Sequence, residues 1–285
     1  MALLLALTSA AAYGAADFFG GLSARRLPSA AVVLRAHVVG LLGMIVALPL
    51  VGDAGLTGRD ATIGALGGIA GAIGVLLLYR GLAIGTMSVV APITAVLSAV
   101  VPVTAGMAGG DRPAALALLG VPLALVAIAL LSGSAGGGRS RAGLSVAELV
   151  SAVGAGLGFG LFFVALDQAG DDAGLWPVVT GRVASVALFL LVAGLSAGAR
   201  IGGPAARLGT TPALLVGCGL LDAAANALFL LATHSGMLTL VAVIAALYPA
   251  STLLLARGVL GERLTSPQRV GVIVAATAVV LVTTG

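Results

Sequence analysis

The sequence predicts an all-α membrane protein in which ten transmembrane helices form two inverted five-helix repeats. Of its 285 residues, 60% are hydrophobic and only 8% are charged, whereas soluble domains carry about 25% charged residues. The apolar segments are long and continuous, so they favour helices over the alternating strands of a membrane barrel. In addition, a passage in the first half of the chain recurs in the second half, which indicates a duplication.

The recurrent passage is GMLTLVAVIAALYPASTLLLARGVLGER, residues 236–263. It aligns without a gap with residues 85–112 at a constant offset of 151 residues. Matches among Ala, Val and Leu arise easily by chance in such a chain. The triplet of glycine, an acidic residue and arginine, GDR at 110–112 and GER at 261–263, is harder to attribute to chance. We therefore interpret the chain as two copies of one unit.

Each predicted span has roughly the 20 apolar residues that a helix needs to cross about 30 Å of hydrocarbon. The spans are residues 2–22, 29–51, 60–83, 86–108, 113–132, 145–167, 173–197, 211–233, 237–260 and 267–283. A Gly/Ser/Arg-rich linker over 133–144 separates the first repeat, 1–132, from the second, 145–285. Because each repeat has five spans, the second enters the membrane from the opposite side, as in many secondary transporters.

The charged and metal-ligating residues exclude several classes of function. The net charge of +4 comes from arginines that stand singly or in pairs in short connections, so a nucleic-acid partner is not expected. The single cysteine, Cys218, and two distant histidines form neither a disulfide nor a metal site. No phosphate-binding loop and no catalytic constellation is present. We therefore expect no enzyme activity and no cofactor.

The arginines also predict the orientation of the protein. Odd-numbered connections carry most of them, namely Arg25, Arg26, Arg139, Arg141, Arg200, Arg207, Arg263 and Arg269, whereas even-numbered connections carry Arg59 and Arg112. Positive residues favour the cytoplasmic side. This distribution predicts cytoplasmic odd-numbered connections and both termini outside.

Ionisable residues inside spans are candidate functional residues, because a charge at that depth is costly and usually faces protein or water. The candidates are Asp17, Arg35, His37, Arg182, Asp222 and His234. Asp17 and Arg35 lie at similar depth, each about six residues from the first connection. An ion pair between them is the simpler interpretation, and contact with substrate is the alternative. His37 is interpreted as a core histidine and His234 as an interfacial one.

Asp222 lies near the middle of the eighth span. Asn226 follows four residues later, so both share a helix face. Arg182 lies at comparable depth in the seventh span. We hypothesise that Asp222 faces a central cavity, paired with Arg182 or close to substrate, where it could exchange protons during transport. A buried structural ion pair is the alternative.

The pair Tyr248-Pro249 predicts a break in the ninth span, since proline frees a carbonyl one turn back. Pro92 and Pro102 lie in the equivalent fourth span, and broken helices in corresponding spans indicate a transport site. An ordinary kink is the alternative. Tyr13 is interpreted as either a cavity wall or an interfacial anchor. Glycines at GxxxG spacing in the third and sixth spans predict close helix packing.

With these features the chain resembles the EamA-like members of the drug/metabolite transporter superfamily along its whole length. The motifs that carry the resemblance are YPASTLLLARGVLGER with its weaker echo ending in GGDR, the pairs Tyr13-Gly14 and Phe159-Gly160, and Arg35 and Arg182. The first copy departs from the pattern, with Asp111 in place of Glu and Ser98 where the second copy has Pro249. The family habit of cytoplasmic termini opposes the arginine distribution, so the orientation stays open.

The resemblance implies export of small metabolites or toxic compounds across the cytoplasmic membrane by alternating access, without ATP and either proton-coupled or facilitative. The implied partners are a small-molecule substrate and the lipid bilayer; monomer and homodimer are both open. The site residues are then Asp17, Tyr13, Arg35, Arg182, Asp222, Asn226, Tyr248, Pro249 and Pro92. A non-transporting scaffold or sensor built on the same bundle is the alternative, although a soluble output domain is not evident.

Overall fold

A computed structural model describes residues 1–50, 55–84, 87–132, 145–195 and 211–285. Within these ranges the chain is helical and contains no strand, which confirms the predicted all-α membrane class. The helices are α1 (Ala2–Ala24), α2 (Ser29–Ala47), α3 (Gly58–Ile84), α4 (Met87–Gly109), α5 (Ala115–Ser132), α6 (Val146–Asp167), α7 (Trp176–Leu195), α8 (Thr211–Thr233), α9 (Leu238–Ala245), α10 (Tyr248–Leu260) and α11 (Ser266–Thr284). Short 3-10 turns occupy Leu48–Leu50 and Asp171–Ala173.

Within the described ranges, nine helical segments are long and apolar enough to cross a membrane, with α9 and α10 counted as one segment. The apolar part of α7, Trp176–Val192, is shorter. Together these segments reproduce the predicted spans to within a few residues at each end. The predicted linker, 133–144, and the arginines Arg139, Arg141, Arg200 and Arg207 lie outside the described residues, as does Gly85 at the start of the first copy.

Local chemistry sets several helix ends. Ser145 caps α6 by accepting a hydrogen bond from the backbone amide of Glu148, and Thr265 with Gln268 forms a reciprocal capping box at the start of α11. Gly261 ends α10 with φ of 69°, and Gly110 follows α4 with φ of 114°. Both glycines adopt a backbone conformation that other residues rarely adopt. The repeated triplet therefore begins each time with a turn that requires glycine.

Glycine faces hold the bundle together at α3. Gly64 and Gly68 lie against Pro177, Thr180 and Gly181 of α7, at distances that leave no room for a Cβ atom. On another face of α3, Gly74 approaches Gly158 of α6 equally closely. Small residues permit this backbone contact in lipid, where dispersion rather than water exclusion drives association. The predicted role of the GxxxG spacings in packing is confirmed.

The helices pair across the two halves of the chain. Helix α3 packs against α6 and α7, and α8, its equivalent in the second half, packs against α1 and α2. Helix α4 packs on α6 as the ninth span packs on α1, and α5 pairs with α11. If the two halves of the chain exchanged places, each of these helix contacts would map onto another observed contact. The pattern is therefore the one expected for two equivalent repeats. The inverted insertion of the two repeats stays a prediction.

The ninth span is broken where the sequence predicted it. Helix α9 ends at Ala245, and α10 begins at Tyr248 with Pro249 in its first turn. Proline lacks the amide that would have continued the helical ladder, and its ring fits the first turn of a new helix. The fourth span differs, because α4 runs without interruption through Pro92 and Pro102. The prediction of corresponding breaks in both halves is therefore wrong for the first half.

Candidate functional site

The candidate site is a chain of hydrogen-bonded polar side chains that joins α1, α7 and α8. Tyr13 on α1 donates a hydrogen bond of 2.6 Å from its Oη atom to Oδ1 of Asn226 on α8. Nδ2 of Asn226 donates to the backbone carbonyl of Asp222 one turn earlier, at 2.7 Å. The carboxylate of Asp222 pairs with the guanidinium of Arg182 on α7, as the sequence analysis proposed. These predicted site residues therefore form one connected network.

The two side chains of the ion pair differ in their exposure to solvent. The side chain of Arg182 is only 7% exposed, whereas that of Asp222 is 29% exposed. A buried guanidinium requires a partner, because an unpaired charge in a low-dielectric interior is very costly. The carboxylate of Asp222 neutralises this charge and still presents part of its surface to the space beside it.

Hydroxyl groups fix α1 against its neighbours around this network. Ser9 donates a hydrogen bond of 2.8 Å to the carbonyl of Ala225 on α8. From α10, Ser251 donates to the carbonyl of Ala10 at 3.0 Å and Thr252 donates to that of Gly14 at 3.1 Å. In apolar surroundings such bonds satisfy groups that water cannot reach. They hold the start of α10 directly beside Tyr13.

Aromatic rings enclose the network. The ring of Tyr13 lies 6.0 Å from that of Phe163 in an edge-on arrangement and 6.2 Å from that of Tyr248. Phe163 in turn packs on Phe229, with ring centroids 4.5 Å apart. Tyr13 therefore contacts side chains of α6, α8 and α10 in the interior of the bundle, and its role as a cavity wall stays a prediction. Pro249 follows Tyr248 in the first turn of α10.

Asp17 lies on the inward face of α1, one turn from Tyr13. It is within electrostatic range of Asp222 on α8, Tyr79 on α3 and Tyr248 on α10. Although helices surround it, Asp17 is exposed. It therefore borders an open space between the helices.

The predicted ion pair between Asp17 and Arg35 is wrong for the described structure. Arg35 lies instead in an apolar groove of about 440 Å³ between α2, α7 and α8, lined by Leu34, Val38, Val39, Leu190, Pro212, Leu215 and Val216. Similar depth in the membrane does not make two residues neighbours, because the faces of α1 and α2 that carry them point in different directions. Pro92, within the continuous α4, also lies outside the polar network.

Among the described residues, the exposure of α1 and of the ninth span differs between the two ends of the bundle. We name the end with both chain termini the termini face, and the end with the α1–α2 and α10–α11 connections the opposite face. Along the inward stripe of α1, Ala6 and Ala10 are buried near the termini face, whereas Asp17, Gly21 and Ala24 are exposed toward the opposite face. All but one residue of α9 are buried, whereas α10 has no buried residue. The exposed residues of α1 and of the ninth span therefore lie toward the opposite face.

Specific hydrogen bonds close the termini face. Asp111, after α4, accepts a hydrogen bond of 2.8 Å from the backbone amide of Thr239 in the first turn of α9. A carboxylate there satisfies an amide with no intrahelical partner and interacts favourably with the helix dipole. Close by, Asp60 at the start of α3 accepts a hydrogen bond of 2.9 Å from the amide of Gly170. These contacts join the two halves of the chain.

At the opposite face, the residue equivalent to Asp111 makes a different contact. Glu262 aligns with Asp111 in the repeat, but it pairs with Arg25 at 3.4 Å, and both side chains are more than half exposed. Glu262 thus links the α10–α11 connection to the end of α1 through an exposed ion pair. The two histidines also have structural partners. His37 contacts Ser185 at 3.0 Å between Nδ1 and Oγ, and His234 pairs with Asp171 at 3.5 Å.

Sequence reasoning missed part of the site. Phe163, Tyr79, Ser251 and Thr252 all line or brace it, yet hydrophobic and hydroxyl residues are too common in this chain to stand out. The internal repeat contained a usable signal for Phe163. When the aromatic-glycine pairs Tyr13-Gly14 and Phe159-Gly160 are aligned, Phe163 occupies the position in the second repeat that Asp17 occupies in the first. In the described part of the chain no group of three His, Cys, Asp or Glu residues could hold a metal.

Comparisons with known proteins identify the fold. Residues 147–284 match the model of the EamA-like transporter family. A solved structure, described only as "Crystal structure of protein", superposes with a TM-score of 0.79, covering 99% of this chain and 96% of that chain at 16% sequence identity. At this identity the similarity shows the fold alone. No curated protein matches the sequence.

Proposed function

We propose that this chain, whose residues 147–284 match the EamA-like transporter family, is a transporter of that family and exports small metabolites or toxic compounds across the cytoplasmic membrane by alternating access. The members of this family are membrane transporters. The observation that supports the finer proposal is the difference between the two ends of the bundle. On the inward stripe of α1, Asp17 and the residues toward the opposite face are exposed, whereas at the termini face Asp111 joins α4 to α9 through the amide of Thr239.

Alternating access requires that a central site be reached from one side at a time. The seal at the termini face supplies one closed gate. The break between α9 and α10 supplies a segment that can move, because the helical ladder is interrupted between Ala245 and Tyr248. Movement of α10 toward α4 would close the opposite face, while separation of α9 from α4 would open the termini face.

The Arg182–Asp222 pair offers a way to couple transport to protons. A partly exposed carboxylate that exchanges its arginine partner for a proton or for substrate would change the charge of the site during the cycle. This coupling supports secondary transport. Facilitative transport is the alternative form of the same proposal.

Metabolite profiling tests the proposal. Overexpression in a bacterial host should raise the extracellular concentration of at least one metabolite, and deletion of the native gene should lower it. A variant with both Asp17→Asn and Asp222→Asn, expressed at the same level, is the control for effects of membrane overload. An extracellular profile that is unchanged on both overexpression and deletion would instead favour a scaffold or sensor.

A further inference from the structure

The Asp17 carboxylate has no ion-pair or hydrogen-bond partner among the described residues. Arg35, the partner predicted from its similar depth, lies in the groove between α2, α7 and α8. Arg182 is engaged by Asp222. Carboxylates inside membrane proteins ordinarily have a cationic or hydrogen-bonding partner, because an isolated charge is costly there. Asp17 is thus an accessible acid whose partner the described chain does not supply.

The charge of the site follows from the same contacts. The guanidinium of Arg182 and the carboxylate of Asp222 neutralise each other. Asp17 adds a further acidic group within electrostatic range of Asp222. Cys218 on α8, also within range of Asp17, contributes no positive charge. When Asp17 is ionised, the space beside it carries one net negative charge, which attracts a cation and disfavours an anion.

The surroundings of Asp17 suit an organic cation. Tyr13 lies one turn before Asp17 on α1, and its ring is 6.2 Å from that of Tyr248 on α10. Tyr248 and Tyr79 on α3 are both within electrostatic range of the Asp17 carboxylate. The face of an aromatic ring attracts an ammonium group, by about 0.5–2 kcal/mol depending on its desolvation. An acid beside aromatic rings therefore recognises a positively charged nitrogen more readily than a hydrated metal ion.

In the other repeat, the positions equivalent to these polar residues carry no polar side chain. The offset of 151 residues pairs Asp222 with Gly71 and Asn226 with Val75, both on α3. In the separate alignment of Tyr13-Gly14 with Phe159-Gly160, Asp17 corresponds to Phe163 on α6. The polar groups thus lie on α1, α7 and α8, whereas the equivalent positions on α3 and α6 carry none. A ligand that fits both kinds of wall has one charged end and one apolar end.

We propose that Asp17 binds the ammonium group of the transported compound, and that the substrates of this protein are small amphipathic amines. This inference rests on the proposed transport function and names the substrate class of the same site. The compound enters from the opposite face, places its ammonium group between Asp17 and the tyrosine rings, and directs its apolar part toward α3 and α6.

Binding by the purified full-length protein tests the proposal. The probes are phenethylamine, which is cationic at neutral pH, and its neutral N-acetyl derivative; binding is measured as the shift in thermal unfolding with probe concentration. Wild-type protein should bind the amine and not the amide. Asp17→Asn should raise the half-saturating amine concentration roughly tenfold to hundredfold, as expected for loss of a charged hydrogen bond.

Matched variants separate charge from folding. Asp17→Glu should retain part of the amine binding, whereas Glu262→Gln, which removes an exposed acid at the opposite face, should bind like wild type. The proposal is wrong if wild-type protein binds amine and amide equally, a result that needs no variant to fold. It is also wrong if Asp17→Asn binds the amine as tightly as wild type does.

Transport of the same probe distinguishes this inference from the proposed function. In proteoliposomes of phosphatidylethanolamine and phosphatidylglycerol, labelled phenethylamine should move faster with wild-type protein than with Asp17→Asn. Amine binding without transport would overturn the transporter proposal and leave the assignment of Asp17 intact. An altered metabolite profile in cells, with no preference for amine over amide, would overturn the assignment and leave the transporter proposal intact.

Discussion

The carboxylate of Asp111 accepts a hydrogen bond of 2.8 Å from the backbone amide of Thr239, and so joins the end of α4 to the start of α9. Asp111 belongs to the repeated triplet of glycine, an acidic residue and arginine that indicates the duplication. In this structure it is a cap for a helix of the other half. The bond lies at the termini face, where the space beside Asp17 is closed.

Removal of this cap should open the termini face. We expect Asp111→Ala to destabilise the protein by about 1 kcal/mol, the usual cost of a lost helix cap. Asp111→Asn keeps an acceptor oxygen, so its loss of stability should be smaller than that of Asp111→Ala. The measurement is thermal unfolding, together with thiol labelling of a cysteine placed at Thr239 in a Cys218→Ser background. Unchanged labelling after loss of the acid would show that the bond does not hold the face closed.

Gly106 should be as important as Asp111 for this closure. A Cβ atom there would lie 2.7 Å from Oγ1 and 2.9 Å from the amide nitrogen of Thr239, which is closer than real contacts allow. Gly106→Ala should therefore separate α4 from α9 and slow transport. Gly109→Ala is the matched control, because a Cβ atom there meets nothing within 4 Å. Equal transport rates for both variants would contradict the proposed seal.

Asp222 should determine how transport depends on pH. Asp222→Asn removes the carboxylate that pairs with Arg182, so, if transport is coupled to protons through this residue, the rate measured in proteoliposomes should vary less with an imposed pH gradient. Glu262→Gln, an acid lost outside the site, should leave that variation unchanged. Retention of the full pH response in Asp222→Asn would eliminate coupling through this residue and favour facilitative transport.

The glycine contact between α3 and α6 should dominate stability. A Cβ atom on Gly158 would approach the carbonyl oxygen of Ala70 to 2.6 Å and Cα of Gly74 to 2.9 Å. We expect Gly158→Ala to cost about 1–3 kcal/mol, typical of overpacking. Gly258→Ala on α10 meets no atom within 4 Å and should be near neutral. The test is thermal unfolding of both variants in the same detergent. Similar midpoints for both would refute close α3–α6 packing.

The fold was largely predictable because the membrane limits the choices. Continuous apolar segments of sufficient length can satisfy their backbones only as helices, so span positions follow from hydropathy. The break at Tyr248-Pro249 was predictable from proline chemistry. The continuity of α4 through Pro92 was not predictable from the sequence. Proline always removes a backbone hydrogen bond, but the packing around the helix determines whether the helix continues or ends there.

The site was predictable only in part, for a reason of geometry. Sequence gives the depth of a residue from its distance to the end of a span, and that was enough to bring Arg182 and Asp222 together. It does not give the direction in which the residue faces. Asp17 and Arg35 share a depth and were predicted to pair, but α1 turns Asp17 inward and α2 carries Arg35 into a groove at its contact with α7 and α8.

The offset of the repeat places Arg257 of α10 at the position that Gly106 holds in α4. A long charged side chain there cannot permit the backbone approach that Gly106 permits, so the two gates differ in free energy. Each difference of about 1.4 kcal/mol changes the ratio of the two conformations tenfold, and the empty protein should rest mainly in the form seen here. This difference in free energy determines how often the site faces each side of the membrane and how tightly substrate binds from that side. The net direction of flux is set by the gradients across the membrane.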